Sequence, residues 1–113
     1  MDGKRFEQIV DERFNACRLI LAQKEEEYSV DGDRLSNFKR AGFIELVKPE
    51  TALLGMLTKH VVSVYDAIDE LEFRDKVPSK EWIHAKLTDW INYALLLEGL
   101  IEERRERENE END

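Results

Sequence analysis

The sequence predicts an all-α protein, a helical bundle of three long helices plus one short helix. Apolar residues recur at three- and four-residue steps in three separate stretches, which marks one face of a helix each time. Only five Gly and two Pro occur in 113 residues, and both prolines fall between those stretches. Alternating apolar and polar runs of the kind that build half-buried strands are nearly absent.

From Phe6 the residues Ile9, Val10, Phe14, Cys17, Ile20 and Leu21 form one amphipathic face, which places the first helix at about residues 4–28. "SVDGDRLSNF" then brings together Gly, Asp and Ser, which accept φ > 0 or bond their own backbone, so a loop is expected. Ser36 reads as the N-cap of a short helix running through Ala41 and stopping before Gly42. Pro49 suits the first position of the next helix, where its missing N–H costs nothing. Behind it Leu54, Leu57, Val61, Val64, Ile68 and Leu71 make a heptad-like stripe, so the second long helix spans about 50–73. Pro78 breaks the chain and Ser79 is placed to cap a third long helix, from Lys80 to about Arg107. Glu103 and Arg107 extend it with a favourable i, i+4 pair. The chain reads as one domain over 1–107, with 108–113 an acidic tail expected to fray.

Charge narrows the partners. The formal net charge is -9, and residues 102–113 hold seven acids against three arginines, a net -4 that leaves -5 for the rest. A surface of this sign disfavours non-specific binding to nucleic acid or to an anionic membrane, yet leaves room for a local basic pocket. Cys17 is the sole cysteine, excludes an intrachain disulfide, and reads as a small core residue. "MDGKRFEQIV" lacks a signal-peptide pattern and no run approaches the ~20 apolar residues of a membrane span, so a cytoplasmic setting is expected.

The polar residues inside apolar helices raise the functional question. At ~100° per residue the third long helix carries two seams. Ile83, Leu87, Trp90, Ala94, Leu97 and Ile101 read as an ordinary core seam; Trp82, Lys86, Asp89, Tyr93, Leu96 and Leu100 form a second. Burying both requires another helix or a second subunit, so the bundle is expected to be completed by oligomerisation, as a homodimer or homotetramer. Lys86 and Asp89 would then lie in a partly desolvated groove, where an ion is costly unless partnered. An i, i+3 salt bridge bordering the core accounts for them equally well. The core face of the first helix likewise turns polar at Lys24, Glu27 and Tyr28, which a snorkelling Lys and a solvated helix end would also explain. Lys59, Ser63, Asp66 and Glu70 share a stripe on the middle helix. This is the wet face in the simple reading, or a pocket wall with Asp66 and Asp69 as oxygen ligands. His60 lies at the edge of the apolar seam and His84 on the polar side of its helix, without a partnered nucleophile. Neither a calcium loop nor a phosphate-cradling Gly-rich loop is present.

The succession "KEEEYSVDGDRLSNF", "LTKHVVSVYDAID" and "KLTDWINYALLLEGLIEER" resembles the nucleotide-modification-associated proteins of phages and prophages. These are in turn similar to the all-α MazG-like NTP pyrophosphatases and dimeric dUTPases. The likeness spans about residues 18–104 and rests most on Lys86, Asp89, Asn92 and Tyr93. The resemblance implies a nucleotide pocket between helices, contacted by Lys24, Tyr28, Asn37, Lys59, Lys86, Asn92 and Tyr93, with Phe38 beside Asn37. It implies catalytic carboxylates at Glu27, Asp66 and Asp89, and Mg²⁺ held by those residues and Asp69, activating water for attack on the α-phosphate. The chain departs from the pyrophosphatases at Ala85, where an acid would precede Lys86, and "KEEEY" offers no Glu-x-x-Glu on the inward face.

The sequence thus supports a MazG-like nucleotide-binding protein, extending to a Mg²⁺-dependent nucleoside triphosphate pyrophosphohydrolase acting in the host cytoplasm. The rival is a non-catalytic homo-oligomeric nucleotide sponge or phage–host interaction protein. A third reading is a structural bundle whose second seam is only an interface.

Overall fold

The computed structural model describes residues 1–112 and has four helices: α1 (Gly3–Tyr28), α2 (Ser36–Glu45), α3 (Pro49–Arg74) and α4 (Lys80–Asn112). The architecture is the expected all-α bundle of three long helices and a short one. α4 is the central element, with α1 and α3 packed on it and α2 packed on α3. Arg13 bonds Thr88 and the Cys17 carbonyl accepts from Asn92, so α1 and α4 run parallel. Glu50 meets Arg104 while His60 meets Asp89, so α3 runs antiparallel to α4. The body is long, 54 × 32 × 27 Å, and its radius of gyration of 17.1 Å exceeds the ~13 Å of a compact domain of this size.

Helix ends follow local chemistry. The Asp2 carboxylate caps α1 by accepting from the Arg5 N–H at 2.8 Å, and Ser79 Oγ accepts from the Trp82 N–H at 3.1 Å at the start of α4. Pro49 opens α3 as expected. Ser36 does not cap α2: Leu35 occupies the N-cap, and Ser36 Oγ instead donates to the Tyr28 carbonyl at 2.7 Å, tying α2 to the end of α1. No side chain caps α2; Asp33 Oδ1 accepts from the Leu35 N–H at 2.9 Å, an Asx turn that leads the chain into the helix. The turn before it holds Asp31 and Gly32 at φ 53° and 77°, the signature of a two-residue type I′ turn, closed by a bridge between Val30 and Asp33.

α2 also continues past Gly42 to Glu45. Gly42 is buried and acts as a contact point rather than a stop: a Cβ there would lie 2.8 Å from the Val47 carbonyl oxygen. α4 runs on to Asn112, beyond the expected end near Arg107, with Glu103 and Arg107 paired at 3.9 Å. Asp113, the last residue of the expected tail, lies outside the described residues.

The core gathers Phe38, Leu53 and Leu100, with Leu35, Met56, Tyr93, Leu96 and Leu97 against them. Leu53 has no exposed surface, which by itself favours folding by about 1.5–3 kcal/mol. Cys17 is buried in the α1–α4 contact, as expected. The two seams expected to be buried on α4 are covered unequally, and Leu97 alone of the first packs on the core cluster. Tyr93, Leu96 and Leu100 face the chain's own core, while Trp90 and Ile101, expected in the ordinary core seam, are 39% and 44% exposed. α3 is rotated from its expected setting as well. Ala52, Leu53, Met56 and His60 face inward, and the heptad residues Leu54, Ile68 and Leu71 lie exposed at the rim. Both helices carry apolar residues over more than one stripe, so neighbour placement, rather than periodicity, decides which stripe is covered.

Polar braces hold the ends. The Arg104 guanidinium grips the Glu50 carboxylate through bonds of 2.8–3.1 Å and holds its carboxyl below the usual value of 4.5. Lys39 reaches Asp33 at 2.6 Å and Glu103 at 2.7 Å, clamping the α1–α2 loop to α4. Among the described residues no helix is long and apolar enough to cross a membrane.

Candidate functional site

Between α1 and α3, both packed on α4, lies a cavity of about 270 Å³. α1 supplies Ile20, Leu21, Lys24 and Tyr28; the loop supplies Arg34; α2 supplies Asn37 and Phe38; α3 supplies His60; and α4 supplies Asp89, Asn92, Tyr93 and Leu96. The helical repeat explains the convergence. Lys24 and Tyr28 are one turn apart on α1, and Asp89, Asn92, Tyr93 and Leu96 follow at steps of three, one and three on α4.

One wall is aromatic. Phe38 meets Tyr93 edge-on at 6.4 Å between centroids, and the His60 ring lies 5.1 Å from that of Tyr93. Burial, and secondarily the Asp89 carboxylate, pushes the Tyr93 hydroxyl above its ordinary pKa of 10.0, so it stays protonated at neutral pH. A second wall is cationic. Lys24 Nζ lies 5.1 Å from the centre of the Tyr28 ring, and Arg34 comes from the loop. Both are half-buried, and among the described residues neither makes an ion pair.

The floor holds polar atoms without partners. Asn92 is 5% exposed; its Nδ2 donates to the Cys17 carbonyl at 3.3 Å and its Oδ1 has no partner. His60 Nδ1 is also buried and unbonded, 3.8 Å from Asp89 Oδ2, too far for a hydrogen bond. Orphaned buried polar groups cost stability and are uncommon in proteins, so these two mark the polar end of an otherwise largely apolar and aromatic lining.

Of the residues expected from the sequence, Lys24, Tyr28, Asn37, Asp89, Asn92 and Tyr93 line this cavity and Lys59, Lys86, Glu27, Asp66 and Asp69 do not. Lys86 lies about 4.5 Å further along the α4 axis than Asp89 and makes no salt bridge with it; the carboxylate faces His60 instead. Glu27 and Asp69 are exposed. Asp66 lines a second cavity of about 410 Å³, between the C-terminal half of α3 and the connection to α4, with Ser63, Glu70, Lys76 and Trp82. Ser63, Asp66 and Glu70 of the α3 stripe border this open cavity, while Lys59 and Asp66 are exposed as on a wet face and Asp69 does not reach it. Arg34 and His60 are cavity residues that sequence reasoning passed over. The isolated base in the acidic "DGDRLSN" loop was the available signal for Arg34, and inward rotation of α3 brings in His60.

The donors do not fit a resident Mg²⁺ within one chain. Among the described residues no three His, Cys, Asp or Glu side chains come together as a metal site, and Asp89 is the carboxylate of the expected set that reaches the cavity. Compared with known protein families, with curated proteins and with solved structures, the chain matches none.

Proposed function

We propose that the chain is a MazG-like protein, of the kind carried by phages and prophages, that binds a nucleotide or another nucleoside phosphate in the cavity between its four helices in the host cytoplasm. The observation that carries this reading is the pair Lys24 and Arg34: two half-buried cations without ion pairs, lining a cavity in a chain of net charge -9. A phosphate offers both of them charge-assisted bonds. Phe38, Tyr93 and His60 give an aromatic base a surface to stack on, and Asn37, Asp89 and Asn92 add hydrogen-bonding groups.

Binding without turnover, as a nucleotide sponge, rests on groups the cavity already has. Hydrolysis as a pyrophosphohydrolase requires Mg²⁺ ligands that a single chain does not assemble, so it depends on carboxylates from another subunit.

A homodimer or homotetramer is part of the proposal. The chain exposes 8749 Å², whereas a folded monomer of 13.3 kDa is expected to expose about 6,500 Å². The difference, on the order of 2,000 Å², matches what a subunit loses in a large obligate interface. Trp90 and Ile101 on α4, and Leu54, Val62, Tyr65 and Ile68 on α3, form outward apolar stripes suited to that contact.

The test is a melting-temperature screen with nucleoside mono-, di- and triphosphates, each with and without Mg²⁺, because a ligand that binds the folded state stabilises it. Binding is expected to raise the melting temperature in the wild type and not in Lys24→Ala/Arg34→Ala. No shift with any nucleotide refutes the reading. Pyrophosphate release only with Mg²⁺ would move the assignment from sponge to hydrolase. Light scattering showing a single-chain mass at micromolar concentration would remove the oligomer.

A further inference from the structure

α4 carries an apolar seam that its own chain leaves largely uncovered. Ile83, Leu87, Trp90, Ala94, Leu97 and Ile101 follow at steps of four, three, four, three and four, the spacing of the a and d positions of a coiled coil. Trp90, Ala94 and Ile101 are exposed, and Leu97 alone of the six packs on the core cluster. The seam lies across α4 from the cavity, since Asn92, two residues on from Trp90, is turned ~200° around the helix.

The seam is complementary to itself when reversed. Two antiparallel copies centred on Asn92 pair Ile83 with Ile101, Leu87 with Leu97 and Trp90 with Ala94, so each layer is apolar and the bulkiest side chain meets the smallest. On the open edge His84 then comes beside Glu98 of the second copy, and Ile91 beside Ile91. The opposite edge, marked by Tyr93 and Leu100, is where α3 packs through His60 and Leu53. Antiparallel pairing joins like edges, so the α3 helices of both copies, with exposed Leu54, Tyr65 and Ile68, come to one side and enlarge the contact. Charge favours the same order. Residues 106–112 hold four acids against Arg107, while Arg74, Lys76 and Lys80 stand against Asp75 in 74–80. Reversal runs each acidic end past Lys80 and the positive N-terminal end of the other α4; parallel pairing would set two acidic ends side by side.

We infer that two copies of the chain pair antiparallel along this α4 seam, leaving each cavity outside the interface. Such a dimer has two separate ligand sites, and carboxylates for Mg²⁺ would have to arrive through a different contact. The inference rests on the homo-oligomer proposed above, and the experiment separates the two. Ile83→Cys and Ile101→Cys are made singly in the full chain, where the native Cys17 is buried and the unaltered protein is the control. In an antiparallel dimer like positions are ~27 Å apart along the axis, beyond the reach of a disulfide, whereas position 83 faces position 101. Mild oxidation is expected to give a disulfide-linked dimer when the two variants are refolded together, and none from either alone. Leu87→Cys with Leu97→Cys repeats the test one layer inward, with circular dichroism confirming the helices of each variant. Linkage of a variant to itself overturns the antiparallel order, and no linkage in a chain that light scattering shows to be oligomeric overturns the seam; both leave the homo-oligomer standing. A single-chain mass overturns the seam and the homo-oligomer together.

Discussion

Asn92→Leu separates a residue kept for a ligand from one kept for the fold. In the empty protein Asn92 makes one hydrogen bond, to the Cys17 carbonyl, and buries one unpartnered oxygen. Cys17 lies inside α1, where its carbonyl also accepts from the next turn, so losing the Asn92 bond leaves no orphan there. The bond lost is worth about 0.5–1.5 kcal/mol, while removing a buried unsatisfied acceptor recovers about 1–3 kcal/mol. Leucine is the larger side chain, and its extra volume can be taken up by the adjoining cavity of about 270 Å³. The expected result is a net stabilisation of roughly 1 kcal/mol, or a melting temperature higher by about 4 °C. Nucleotide affinity should fall at the same time, at least tenfold, because the cavity is narrowed and an acceptor is gone. Urea denaturation and titration calorimetry on the same samples read the two effects. A variant destabilised by more than 2 kcal/mol with affinity unchanged would refute the reasoning and make Asn92 a structural residue.

Other perturbations follow from single features. Trp90→Glu/Ile101→Glu charges the outward seam of α4, and light scattering should show the proposed homo-oligomer reduced to single chains while helicity by circular dichroism is retained. Gly42→Ala sets a methyl group 2.8 Å from the Val47 oxygen and 3.1 Å from the Pro49 nitrogen, backbone atoms that cannot swing aside; a loss of about 1–3 kcal/mol is expected in urea denaturation. Glu50 and Asp33 both have carboxyl pKa values below their ordinary 4.5 and 3.8, through hydrogen bonds from Arg104 and Lys39 respectively. A depressed folded-state pKa adds stability that is complete above the unfolded value and is lost as pH falls through the folded one. The melting temperature should therefore hold between pH 7 and 5 and drop below about pH 4.5, with a smaller acid drop in Glu50→Gln.

Much of the fold could be read from punctuation. Pro49, Pro78 and Ser79 act locally, so the starts of α3 and α4 fall where the sequence places them. Ser36 and Gly42 misled because each serves a distant partner: Ser36 bonds the end of α1, and Gly42 admits the backbone of the next turn. The same limit applied to the seams. Leu100 and Trp90 are equally apolar, and only the positions of α1 and α3 decide that the first is covered and the second is not. At the cavity, Lys24, Tyr28, Asn37, Asp89, Asn92 and Tyr93 could be brought together from sequence. Lys59, Lys86 and the remaining carboxylates could not be placed, because a rotation of one residue moves a side chain ~100° around its helix.

The sharing of one cavity by α1 and α3 has a consequence for the life of the molecule in a cell. Both helices pack on α4 with the cavity between them, so the nucleotide proposed for it would touch both and tie α1 to α3 through its own atoms. Occupancy and folding would then be linked: at a hundred times its dissociation constant a ligand adds about 2.7 kcal/mol, enough to cut the unfolded fraction roughly a hundredfold. Proteases act on that unfolded fraction. The protein would accumulate when its ligand is abundant and be cleared when the ligand is scarce, so its abundance would follow the pool it binds without any separate sensor.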